Sequence, residues 1–143
     1  MATRAVVDTN VLVSGLITDQ SPPAQIVDAW LDQSFVLITS IYQVEELGHV
    51  LAYPRIASRI RLEPTEVETI LAGLLLQAEI VPGEIVLAGV TRDPKDDPIL
   101  ACALEGKADY LVSGDGDLQV LETYEGIQIV TPRQFVELLA AAP

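Results

Sequence analysis

The chain has 143 residues, half of them hydrophobic, which is enough for one compact domain with a real core and excludes a disordered segment. Its 21 acids against 8 bases give a net charge of −13, a surface that repels polyanions at long range and excludes strong non-specific binding to nucleic acid. Cys102 and His49 are each the only residue of their type, so an internal disulfide is excluded and zinc has almost no support.

The chain opens on a short apolar run, Ala5-Val6-Val7, that ends in Asp8-Thr9-Asn10. This pattern predicts a buried parallel strand delivering the Asp8 carboxylate to its own C-terminal tip, where α/β sheets place their chemistry. Val11, Leu12 and Leu16 predict a helix starting at about Asn10. Both an N-cap role and a site role are open to Asn10. Arg4 is followed by too few apolar residues for a secretory segment, and no apolar run approaches the ~18 residues that span a bilayer. A cytoplasmic protein with no membrane partner is expected.

Ser21-Pro22-Pro23 reads as an N-cap followed by proline, and Ile26, Val27, Trp30 and Leu31 supply a helical stripe in which Trp30 is a core anchor. Phe35 to Ile38 reads as a second strand. A capping box, Ser40 with Gln43, then starts a helix that buries Val44, Leu47, Gly48 and Leu51. Glu45 and Glu46 both fall off that stripe, and periodicity does not choose between them.

Tyr53-Pro54 ends this helix, and Arg55, Arg59 and Arg61 follow. The spacing of Arg55 and Arg59 is one helical turn, so a phosphate-contacting patch is conceivable, although an ordinary solvated face is the preferred reading. Thr65 and Glu68 form a second capping box ahead of a stripe running from Val67 through Ile70, Leu71, Leu74 and Leu75 to Ala78. Ile80-Val81 predicts a third strand; residues 84–92 carry no assignable pattern.

Asp93-Pro94-Lys95-Asp96-Asp97-Pro98 precedes the apolar run Ile99 to Leu104 and places Asp97 as N-cap with Pro98 at the first helical position. Cys102 reads as a small buried residue of that helix. Asp109 to Val112 forms a strand that leads into Ser113-Gly114-Asp115-Gly116-Asp117, whose spacing beyond Asp117 does not fit an EF-hand loop. Ile127 to Val130 is the last strand. Thr131-Pro132 opens a terminal helix with Phe135, Val136, Leu138 and Leu139.

Strands and helices alternate with crossovers too long for hairpins, so the expected fold is α/β, a parallel sheet between helical layers. Strand C-termini and the following helix N-termini share one edge of such a sheet, where the separate acids can meet. Two carboxylates ~4 Å apart repel by about 4 kcal/mol at an effective dielectric near 20, which calls for a counter-ion. Oxygen-only donors point to Mg²⁺ or Mn²⁺, ions that activate water and stabilise the attacking and leaving oxygens of phosphodiester cleavage.

Four stretches in this order resemble the PIN-domain ribonucleases, close to the VapC-like toxin component of bacterial toxin–antitoxin pairs. They are Val7-Asp8-Thr9-Asn10-Val11-Leu12, Ser40 with Glu46-Leu47, Asp96-Asp97-Pro98-Ile99-Leu100-Ala101-Cys102-Ala103, and Ala108-Asp109-Tyr110-Leu111-Val112-Ser113-Gly114-Asp115. The resemblance covers nearly the whole chain and implies a single three-layer α/β/α PIN domain over residues 1–143 with a central five-stranded parallel sheet. It further implies that Asp8, Glu46, Asp97 and Asp115 form the acidic metal-binding quartet, with Asp8 and Asp97 as the main ligands. Asn10 and Ser113, the latter where threonine is more usual, would orient ligands and water, and Asp117 would support them. Single-stranded RNA as substrate, a cognate antitoxin and a homodimer are implied as partners. The competing readings are a non-catalytic module that holds an ion or a basic peptide, and an aspartate-based phosphatase acting through Asp8.

Overall fold

The computed structural model of the chain describes residues 2–60 and 63–142; Arg61 lies outside the described residues. Six strands form one sheet: β1 (Arg4–Val7), β2 (Val36–Ser40), β3 (Glu79–Val81), β4 (Tyr110–Val112), β5 (Thr123–Tyr124) and β6 (Ile127–Val130). Their order is β3-β2-β1-β4-β6-β5, with every pair parallel except β5 with β6. The five parallel strands are those the apolar runs predict. The two-residue β5 has no hydrophobic run of its own and is held by pairing to β6 through a tight turn containing Gly126 at φ +83°.

Alternation along the strands sorts the core into two layers. Ala5, Val7, Leu37, Val112 and Val130 face a cluster completed by α1 (Thr9–Ile17), α2 (Pro22–Leu31), α3 (Ile41–Ala52), α5 (Pro64–Gln77) and α8 (Pro132–Ala141). Val6, Ile38, Leu111 and Ile129 face the other cluster, built on α6 (Asp97–Glu105) with Leu118 from the short α7 (Gly116–Gln119). Trp30 is buried among the first set and Phe35 meets Phe135 edge to face at 5.1 Å. Leu31 and Leu75, expected on buried stripes, are half exposed.

Several helix starts differ from the sequence reading by one or two residues, and the differences matter at the site. Asp8 itself caps α1, accepting from the Asn10 N–H at 3.3 Å, so Asn10 is not the cap. Ser40 caps α3 through the Gln43 N–H, but the Gln43 side chain does not return to complete a capping box. The box of α5 is Glu63 with Glu66 rather than Thr65 with Glu68, because Pro64 opens the helix. Arg55 sits in a separate short helix, α4 (Pro54–Ala57), and the exposed Arg59 lies beyond its end, so the two do not share a helical face.

Between β3 and α6 the chain is irregular from Pro82 to Asp96, with Gly83 and Gly89 at positive φ. Carboxylates from α6 fasten this segment. Glu105 accepts from the Gly83 and Ile85 N–H groups, and Asp97 accepts from Gly89 N–H, Thr91 N–H and the Thr91 hydroxyl.

Candidate active site

Strand order reverses direction between β1 and β4, since β1 connects outward to β2 on one side while β4 continues to β6 on the other. The crevice beyond the carboxyl ends of strands at such a switch point is where open α/β sheets bind ligands. Asp8 extends β1 by one residue, its N–H donating to Val112 O at 2.9 Å, and Ser113 extends β4 in the same way, donating to Val130 O at 3.0 Å. The two side chains therefore meet. The Ser113 hydroxyl donates to Asp8 Oδ2 at 2.8 Å and accepts from the Asp115 N–H at 3.0 Å. Asp115 in turn caps α7 through the Asp117 N–H, and Gln119 anchors the loop by donating to Ser113 O.

The acids around this bridge act on one another. Burial pushes the Asp8 carboxyl upward, the bonds from Ser113 and the Asn10 N–H oppose it, and the charges of Glu46 and Asp115 push it up further. Asp96, buried at the N-terminus of α6, is pushed up to about 7 by burial and then by the charges of Asp115, Asp8 and Asp93. Asp8, Glu46, Asp96 and Asp115 thus form one interacting group supplied by β1, α3, α6 and the end of β4. On its flank, carboxylate oxygens of Asp93, Asp96 and Asp117 lie within 4.8 Å of one another.

Asp97 does not join this group. The sequence reading puts it at the N-cap and in the quartet, whereas the cap is Asp96 and both Asp97 oxygens accept from the 89–91 loop. The backbone and hydroxyl donors of Thr91 and the N–H of Gly89 hold its carboxyl below the usual range. The physical reason is the loop's donors. Asp96 and Asp97 are both buried, but the Gly89 and Thr91 donors all go to Asp97, while Asp96 is the one on which the charges of Asp115 and Asp8 act. The sequence reading treats Asp93 and Asp96 as members of the acidic run 93–98 and assigns them no site role, because nothing local distinguishes them from Asp97.

The remaining predicted residues divide similarly. Asn10 is exposed and lines, with Asp8, Ser14, Gly114 and Asp115, an open cleft of about 410 Å³. Arg55 lies in α4 and Arg59 just beyond it, both after the C-terminal end of α3. The exposed bases closest in sequence to the acids are Arg92 and Lys95, beside Asp93 and Asp96, and Arg133, next to the cleft residue Pro132. Cys102 is buried, its thiol pushed up to about 12 by burial and the Glu105 charge, and is not a nucleophile.

The fit of a divalent cation can be judged from the polar atoms. Among the described residues, three buried side-chain oxygens lack a hydrogen-bond partner: Thr9 Oγ1, Gln43 Oε1 and Asp96 Oδ2. All three lie in first turns or caps of α1, α3 and α6, around the acid group. Orphaned buried oxygens beside mutually repelling carboxylates, with no thiolate or imidazole among them, are the donor set of a hard cation.

The sequence profile of the PIN domain matches residues 4–117. The chain belongs to the PIN-domain family. PIN domains are generally metal-dependent nucleases, and the acid group described above lies at the edge of the sheet where this PIN domain's strands deliver it. Along most of its length the chain is also similar to uncharacterized protein MJ1680 of Methanocaldococcus jannaschii, 27% identical over 142 residues that cover 94% of this chain and 90% of that protein. Among the described residues no helix is long and apolar enough to cross a membrane.

Proposed function

We propose that this PIN domain is a Mg²⁺- or Mn²⁺-dependent endoribonuclease that cleaves single-stranded RNA, acting as the toxin of a toxin–antitoxin pair in the cytoplasm. The observation that carries the reading is the gathering of acids at this edge of the sheet: Asp93, Asp96 and Asp117 offer oxygens within 4.8 Å of one another, and Asp8 and Asp115, whose charges act on Asp96, share the Ser113 hydroxyl. Asp93, Asp96 and Asp117 would hold the ion, with Asp8, Asp115 and Glu46 completing its surroundings directly or through water.

When bound, the ion supplies Lewis acidity to water and to the scissile phosphate. The chain's own contribution is positional. Ser113 fixes one oxygen of Asp8 and the Asn10 N–H fixes the other, so the carboxylate meets an ion without reorganising. Asn10, exposed on the cleft wall, is placed to orient a phosphate oxygen or water. With so few bases, affinity for RNA rests on the cation, with Arg92, Lys95 and Arg133 near the cleft, and a homodimer or antitoxin would alter what charge the strand meets.

A phosphatase using Asp8 as phosphoryl acceptor is disfavoured because Asn10 stands where that chemistry would use a second carboxylate as acid and base. The deciding experiment is cleavage of a diverse RNA pool with Mn²⁺, Mg²⁺ or chelator, wild type beside Asp96→Asn. Metal-dependent cleavage by wild type alone is expected. Equal cleavage by both proteins, or Mg²⁺ binding without turnover on any RNA, would replace the nuclease reading with that of a binding module.

A further inference from the structure

A second concavity lies beside the acid group. It is an apolar groove of about 350 Å³ between the start of α3, the irregular segment after β3 and the outer side of α6, lined among others by Ile41, Tyr42, Val86, Pro98 and Cys102. Three of its walls are unusually apolar for a protein surface: Val86 is 82% exposed, Ile41 50% and Tyr42 49%. Its single charged lining residue, Glu105, has both oxygens engaged by the Gly83 and Ile85 N–H groups. On a chain of net charge −13 this is a patch without free charge.

The groove adjoins the site along α3. Tyr42 lies four residues before Glu46 on α3, so their side chains are neighbours on one helical face, and Glu46 acts on Asp8. We propose that this groove is a nucleobase subsite, in which Tyr42 stacks on a base of the single-stranded substrate one or two nucleotides from the phosphate held at the acids. The inference rests on the nuclease reading and supplies what that reading lacks. A strand approaching so acidic a surface gains little from basic side chains, and stacking on an exposed aromatic ring at the end of an uncharged slot is the sequence-tolerant alternative. The volume suits one or two bases, and the neutral lining accepts a base while leaving the phosphates to the cation.

The test is steady-state cleavage of a short single-stranded RNA with Mg²⁺ by wild type, Tyr42→Ala, Tyr42→Phe and Val86→Asp, with anisotropy of a labelled oligonucleotide and its singly abasic versions in parallel. Tyr42→Ala is expected to raise KM about tenfold with little change in kcat, Tyr42→Phe to keep the wild-type KM, and Val86→Asp to follow Tyr42→Ala. One abasic position should weaken binding by wild type and not by Tyr42→Ala. If wild type cleaves RNA and Tyr42→Ala has an unchanged KM, the subsite is overturned while the nuclease reading stands. If wild type cleaves no RNA, the nuclease reading fails by itself, and the anisotropy arm decides the groove: Tyr42-dependent binding upholds it and its absence overturns it. A wild-type dimer that Val86→Asp converts to a monomer, with RNA binding unaffected, assigns the groove to a second copy of the chain and overturns the proposal.

Discussion

Ser113 donates its hydroxyl to Asp8 across 105 residues of sequence, at 2.8 Å and out of contact with solvent. That one bond ties the tips of β1 and β4 together and, through the Asp115 N–H, sets the third member of the acid group. Ser113→Ala is therefore expected to lower RNA cleavage by about 10- to 100-fold with the fold intact, and Ser113→Thr to retain most activity because the hydroxyl persists. Cleavage rates with circular dichroism as a control would check both.

Adjacent aspartates should behave oppositely. Asp96→Asn is expected to abolish metal-dependent cleavage and to raise the melting temperature in chelator, since a repelling buried charge is removed. Asp97→Ala is expected to lower the melting temperature by several degrees, since Gly89 and Thr91 lose their acceptor. Melting curves and cleavage assays on the two variants side by side separate the roles.

The metal-free protein should lose stability as pH rises toward neutrality. An unfolded aspartate titrates near its ordinary value of 3.8, whereas Asp96 is pushed up to about 7. Between these values the folded state holds a proton that the unfolded state has released, so stability falls from about pH 4 to about pH 7 and levels off above. Asp97, held below the usual range, has the opposite sign, and its contribution disappears only at lower pH. Melting temperatures in chelator from pH 5 to 8 should decline for wild type and flatten for Asp96→Asn. Added Mg²⁺ should reverse the decline at pH 8.

Asp93→Asn and Asp117→Asn should each weaken Mg²⁺ binding by about 10- to 100-fold if their carboxylates serve the ion's surroundings, since both lie with Asp96 inside 4.8 Å. Isothermal titration of the variants against wild type reads this without any RNA. Unchanged affinity in both would remove this cluster as the ion's site.

Gly15 marks where α1 and α2 come closest. A Cβ there would stand 2.6 Å from the Pro23 carbonyl oxygen and 2.6 Å from Val27 Cγ2. Gly15→Ala should destabilise the protein by about 1–3 kcal/mol, because the backbone must yield along with the side chain. Urea denaturation gives the figure directly.

The local chemistry of the sequence determined the five parallel strands, the long helices between them and the delivery of Asp8 to the tip of the first strand. Apolar runs broken by an acid are read the same way whatever surrounds them, and a parallel sheet leaves its strand ends no other rim. Choosing Glu46 over Glu45 took the family resemblance, because neither lies on the buried stripe of α3. Tertiary structure alone decided which of Asp96 and Asp97 the 89–91 loop claims, for both suit a helix start. The donors that claim Asp97, Gly89 and Thr91, belong to a segment with no periodic pattern, and only folding brings them to it. The same holds for β5, whose two residues become a strand because β6 is there to pair with, and for the groove beside Tyr42, which exists only once α3, α6 and the segment after β3 enclose it.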